Sequence, residues 1–261
     1  MEVLTRSSEP PDAVVRYADH DCGLIDLFLP HRRSTTGPAS DPVPLVVAIH
    51  GGFWHQEWDR RHLRPMANAL LDRGFAVALP EYRRGAAAWP RTRDDITAAL
   101  TQVARLVEEV APDLVDTTSA YTVTGHSAGG HLALWGGLTA GPERVRRIVA
   151  LAPVADLIAA ARSNMGSGAA VEFLGGTPDE LPEQYTEADP MRLLPGLVPV
   201  VIVQGTEDTQ VPVVANRAVA NTLVGAADVS YIELDGVEHF ALVDPLTEAW
   251  TLTVLPVLSG S

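Results

Sequence analysis

Residues 121–137, "YTVTGHSAGGHLALWGG", carry a β-branched run into Gly125-His126-Ser127-Ala128-Gly129 and then directly into a helical pattern. A Gly-x-Ser-x-Gly sequence between strand and helix is what a nucleophile elbow requires, because the turn leaves no room for a Cβ at its flanking positions. Such a turn lifts the Ser127 hydroxyl clear of the main chain and sets the next helix's N-terminus, with the Ala128 N–H, beside it. The bland alternative is a glycine-rich connection around an ordinary serine. The rest of the chain decides between them.

On either side, short apolar runs alternate with helical patterns. Strands are expected at 44–50, 75–80, 120–125, 146–153, 198–205 and 229–236, and helices near 60–73, 92–110, 128–140, 212–223 and 246–256. Several of the strands are apolar at nearly every position, as in a parallel sheet covered on both faces. In "DDITAALTQVARLVEEV", Ile96, Leu100, Val103, Leu106, Val107 and Val110 recur at three- and four-residue steps and give one buried face. The fold class is therefore α/β, a doubly wound, mostly parallel sheet in a single domain over 1–261. "AVVRYA" and "GLIDLFLP" read as an antiparallel hairpin at one edge, and 32–44 as an exposed loop. Residues 156–197, rich in Gly and Pro, read as a small cap or lid insertion, with ordinary crossover helices on long loops as the alternative.

A serine hydroxyl needs a base. Of eight histidines, His239 in "ELDGVEHFALVDP" lies after the last strand and before the final helix, which brings it to the carboxyl edge of the sheet. His126 adjoins the serine in a tight turn that aims its side chain elsewhere, and His131 sits one turn into the helix, where packing is the simpler role. The group that orients the base belongs in "VVIVQGTEDTQVP", at the end of another buried strand. Asp208 is favoured there over Glu207, and Asp235 is a third candidate.

Composition narrows the partners. The formal net charge is −14, and all 19 basic residues are arginine, which argues against nucleic acid and anionic membrane surfaces. Cys22 is the only cysteine, so no intrachain disulfide forms. The N-terminal "MEVLTRSSEPPDAVV" has no apolar core of signal-peptide length, and no segment approaches the ~20 apolar residues of a membrane span. A cytoplasmic protein acting on a small molecule is the expectation; a homodimer is compatible with it.

Together "HGGFW" (50–54), "GHSAGGHLAL", "GTEDTQVP" and "GVEHF" resemble the α/β-hydrolase superfamily, in its esterase branch with an HGG motif. The aromatic pair after the glycines and "LPEYRRG" resemble most the kynurenine formamidases (arylformamidases). The order Ser127, Asp208, His239 is the one that family uses. The resemblance implies an oxyanion hole from the backbone of Gly51, Gly52 and Phe53 facing Ala128, with His50 buttressing the loop. It implies a pocket bounded by Trp54, Trp58, Tyr82, Arg83 and His126, with Arg83 or Arg84 available to a substrate carboxylate or else paired within the protein. The substrate is an ester or an aryl formamide, and no cofactor is implied. Two other classes compete. A metal enzyme would draw on His50, His55, His62, Glu57 and Asp59, whose spacing does not match His-Glu-x-x-His. A non-catalytic binding protein on the same fold would be expected to lack a member of the serine, acid and base set, and none is missing here.

Overall fold

In the computed structural model, which describes residues 2–30 and 41–260, alternate residues of one apolar run enter two different cores. Leu45, Val47 and Ile49 pack in one apolar cluster and Val46 and Ala48 in another. The pleat sends successive side chains to opposite faces, so a run apolar at every position is a strand with helices on both sides.

The strands are β1 (Ala13–Arg16), β2 (Leu24–Phe28), β3 (Val43–Ile49), β4 (Ala76–Pro80), β5 (Val115–Asp116), β6 (Tyr121–His126), β7 (Val145–Leu151), β8 (Val200–Gly205) and β9 (Val229–Leu234). Their order is β1-β2-β4-β3-β6-β7-β8-β9, with the two-residue β5 pairing beside the start of β3. β2 is antiparallel to β1 and to β4, as the expected edge hairpin requires, and the remaining pairs are parallel. The expected loop at 32–44 lies, for residues 32–40, outside the described residues.

The helices are α1 (Arg64–Leu71), α2 (Trp89–Val110), α3 (Ala128–Ala140), α4 (Leu157–Arg162), α5 (Ala169–Leu174), α6 (Pro182–Ala188), α7 (Val213–Thr222) and α8 (Leu255–Ser259). Residues of α2, α3 and α7 fill one cluster, and residues of α1 and α8 fill the other. Residues 156–197 supply α4 to α6, whose Phe173, Leu174 and Tyr185 join the α2–α3 side of the core. The last helix differs from expectation. Pro256 has no N–H to give, and the turn before α8, Trp250–Val254, widens to π form. No helix among the described residues is long and apolar enough to cross a membrane.

Chain order reverses at β3, which has β4 on one side and β6 on the other. The carboxyl ends of adjacent strands that diverge in this way form a crevice. Here "HGG" leaves β3 and the elbow leaves β6, with Ile49 paired to Gly125.

Candidate active site

Ser127 sits at φ 58°, ψ −122°, a conformation that costs about 1–3 kcal/mol for a residue with a side chain. The surroundings enforce it. A Cβ on Gly125 would lie 2.1 Å from the Gly129 carbonyl oxygen, and one on Gly129 would lie 2.1 Å from that of Ile49. Ser127 N–H donates to Leu151 (2.9 Å), and its carbonyl accepts from His131 (3.1 Å) and Val154 (3.2 Å), so the turn is pinned by its backbone. Its side chain does not cap α3, which keeps the hydroxyl out of structural service.

Asp208 and His239 meet beside it. Asp208 Oδ1 accepts from the N–H groups of Gln210 and Val211, each at 2.8 Å, which fixes the carboxylate in the turn after β8. Its Oδ2 accepts from His239 Nδ1 at 2.6 Å. Both residues are buried. Glu207 and Asp235 are not in this contact; Asp235 instead accepts from the Thr206 hydroxyl. His126 packs on the His239 ring at 4.2 Å between centroids and donates through Nε2 to the His239 carbonyl at 3.0 Å. Burial first, and the neighbouring His239 second, hold the His126 imidazole well below its ordinary pKa. It therefore carries no positive charge at neutral pH.

The "HGG" loop turns through three consecutive residues of positive φ: Gly52 (108°), Phe53 (49°) and Trp54 (57°). A bond from His55 N–H to the Gly52 carbonyl (2.9 Å) closes it. A Cβ on Gly51 would come within 2.5 Å of the His126 carbonyl oxygen, so Gly51 is where loop and elbow backbones touch. Among the described residues, the N–H groups of Gly52, Phe53 and Ala128 have no protein acceptor, a costly state unless something else accepts. Beneath the loop, His50 Nδ1 lies 2.9 Å from the Gly51 carbonyl oxygen and Nε2 lies 2.9 Å from a Glu81 carboxylate oxygen. Glu81 also receives Arg84, Arg60 and the Tyr82 N–H. Burial pushes its carboxyl up, but His50 and these donors outweigh it and hold the pKa at about 2. Arg60 continues the web to the fully buried Asp26, which Arg64 also pairs.

Three expected pocket residues lie elsewhere. Trp54 is in the core, stacked on Phe173 of α5 at 4.7 Å with planes 3° apart, because positive φ turns its ring inward. Tyr82 is fully buried below the loop, stacked on His50, with its hydroxyl donating to the His50 carbonyl. Arg83 is held by Asp95 through Nη2 at 2.6 Å. Arg84 serves Glu81 and the carbonyls of His55 and Gln56. Of the metal set considered from the sequence, His50 is committed to Gly51 and Glu81, and no group of three or more candidate ligands occurs among the described residues.

A cavity of about 80 Å³ is lined by Ser127, His239, His126, Gly52, Phe53 and Trp58, as expected, and also by Leu4, His62, Gln210 and Phe240. Phe240 and Gln210 are near neighbours in sequence of His239 and Asp208, and that proximity is a signal that could find them. Leu4 offers no such signal. It arrives on an N-terminal strap anchored by buried Val3 and by Arg6, whose guanidinium takes both oxygens of Asp244 just beyond the His239 turn.

A family profile described as BD-FAE matches residues 25–223. Esterase LipC of Mycobacterium tuberculosis is 26% identical over 250 residues, a match that covers 88% of this chain and 60% of LipC. Kynurenine formamidase of Danio rerio is 29% identical over 119 residues, 46% of this chain and 36% of that protein. The chain thus spans less than two thirds of the length of these relatives. Among solved structures, esterase B from Lactobacillus Rhamnosis superposes with a TM-score of 0.76 at 21% identity, over 99% of this chain and 88% of that one. That likeness is one of fold.

Proposed function

The chain belongs to the BD-FAE family of α/β-hydrolases, and from that premise we propose that it is a serine hydrolase cleaving a small, uncharged carboxylic ester through Ser127, His239 and Asp208. The observation that carries this reading is the 2.6 Å bond from His239 Nδ1 to Asp208, formed at the edge of the cavity that holds Ser127. The bond commits Nδ1 to the acid and leaves Nε2 for the proton of the nucleophile.

In the proposed reaction His239 Nε2 takes the Ser127 proton as the hydroxyl attacks the carbonyl. The N–H groups of Ala128 and of Gly52 or Phe53 receive the oxyanion, each at about 2.7–3.1 Å. Protonated His239 then gives its proton to the departing alcohol. Water, activated by the same imidazole, clears the acyl-enzyme. The esterase name of LipC supports the bond type.

An aryl formamide is the second reading, favoured by the match to kynurenine formamidase. The ester ranks first because Arg83 and Arg84 are committed to Asp95 and Glu81, and no arginine lines the cavity among the described residues. Among the described residues, a substrate with an amino-acid carboxylate finds no guanidinium there. The deciding experiment compares kcat/KM on N-formylkynurenine with that on short p-nitrophenyl esters. A preference for the esters is expected; a large preference for the formamide overturns the ranking, and no turnover of either overturns the hydrolase reading.

A further inference from the structure

The acid of the Ser127–His239–Asp208 set has a second partner that no sequence motif announces. Gln204, at the end of β8 and fully buried, donates through Nε2 to Asp208 Oδ2 at 3.1 Å, the same oxygen that accepts from His239. The carboxylate then has two donors on each oxygen, Gln210 and Val211 on Oδ1 and Gln204 and His239 on Oδ2. Every acceptor direction is filled, and rotation of the group would break four bonds at once.

The orientation of the Gln204 amide is itself imposed. Its Nε2 faces three acceptors, Asp208 Oδ2, the Gly205 carbonyl (3.2 Å) and the Val211 carbonyl (3.1 Å). Its Oε1 accepts from Asn216 Nδ2 at 2.6 Å, and the same Nδ2 donates to the Pro153 carbonyl at 3.0 Å. Turning Asn216 over would set oxygen against oxygen at both contacts. In the orientation adopted, Asn216 Oδ1 is buried without a partner among the described residues. A core selected for stability alone avoids an orphaned acceptor, and such exceptions gather at functional sites.

We propose that Gln204 is a positioning residue for catalysis, holding Asp208 Oδ2 toward His239 Nδ1, with its amide set by Asn216. This rests on the serine-hydrolase reading above. Gln204 touches neither substrate nor reacting atoms; its effect passes through the direction of the carboxylate, and so falls on the step in which His239 takes up charge.

The test uses Gln204→Met, which keeps length and removes the donor, and Gln204→Glu, which puts an acceptor where the donor stood. Both are compared with wild type on p-nitrophenyl acetate over about pH 5 to 9, the range in which an acid–base profile is read. The downfield proton resonance of the His239–Asp208 hydrogen bond is recorded for each. Gln204→Met is expected to lower kcat about 10-fold, the equivalent of one hydrogen bond to a charged group. KM stays within about 2- to 3-fold, since no substrate contact is lost, and the resonance moves. Gln204→Glu loses more at neutral pH and recovers relative to wild type as pH falls, because the introduced carboxyl, once protonated, donates to Asp208 again. Asp208, the titratable group it meets, and His239 beyond it are common to both proteins. Folded Gln204→Met with wild-type kcat and an unmoved resonance overturns the proposal. If that variant does not fold, a Gln204→Glu enzyme with no acid-side recovery overturns it. If wild type turns over no ester, the hydrolase reading fails, and the resonance alone decides whether Gln204 governs the pair.

Discussion

Tyr82 and His50 are stacked with ring centroids 4.3 Å apart, and the Tyr82 hydroxyl donates back to the His50 carbonyl at 2.8 Å. The residue that opens the "HGG" loop is thus gripped by its side chain and its backbone from one buried neighbour. Loop geometry at this site is set from below, by groups that no substrate touches.

Ser127→Ala should lower kcat on the order of 10⁴-fold or more, because nucleophile, base and acid act as a unit. Steady-state turnover of p-nitrophenyl acetate measures it, and a serine-directed phosphonate should add to wild type and not to the variant. A rate near wild type would remove Ser127 from the chemistry.

Gly52→Ala places a Cβ 2.4 Å from Trp58 at a φ of 108°. The loop must shift, and the loss of an oxyanion donor should lower kcat about 10²–10³-fold. Unchanged kcat in a folded variant would mean that the donor comes from elsewhere.

Trp54 and Trp58 should part company on substitution. Trp54→Ala empties the space against Phe173 and should cost about 3–5 kcal/mol in urea unfolding. Trp58 is 37% exposed at the cavity rim, so Trp58→Ala should cost under about 1 kcal/mol while altering KM. Equal losses of stability would contradict the different placements.

Glu81 should give the protein an acid limb of stability. Its folded pKa of about 2 lies below the ordinary 4.5, so its contribution is complete above about pH 4.5 and is lost as pH falls toward 2. The full swing is about 3 kcal/mol. Unfolding midpoints in urea across that range should fall in wild type, and the fall should be shallower in Glu81→Gln. Parallel curves would show that Glu81 is not the linked group.

Leu4→Ala should widen the cavity and raise kcat/KM on hexanoate relative to acetate p-nitrophenyl esters by on the order of 10-fold, the scale of one or two methylenes. Leu4→Trp should do the reverse. If neither moves the ratio, the strap does not bound the acyl group.

Much of this is legible in the sequence because the relevant signals are local. Elbow glycines, the Asp208 turn and the His239 loop each lie within a few residues of a strand end, and sheet topology alone gathers strand ends. The edge hairpin and the alternating core positions follow from periodicity for the same reason. What escapes depends on partners far along the chain. Trp54 reads as a pocket wall until Phe173, from α5, stacks on it. Arg83 reads equally as a carboxylate receptor or an internal ion-pair partner until Asp95 claims it. Leu4 reaches the cavity only because Arg6 finds Asp244, 238 residues away. The two-residue β5 is too short to carry a pattern.

The web beneath the loop, from Asp26 through Arg60 to Glu81 and Arg84, draws its permanent cations from guanidinium groups alone, in a chain that contains no lysine. An ammonium-based network would begin to discharge as alkali neutralises its nitrogens, whereas guanidinium keeps its proton throughout the range in which proteins are handled. Alkaline conditions therefore leave the arginine pairs of this support intact.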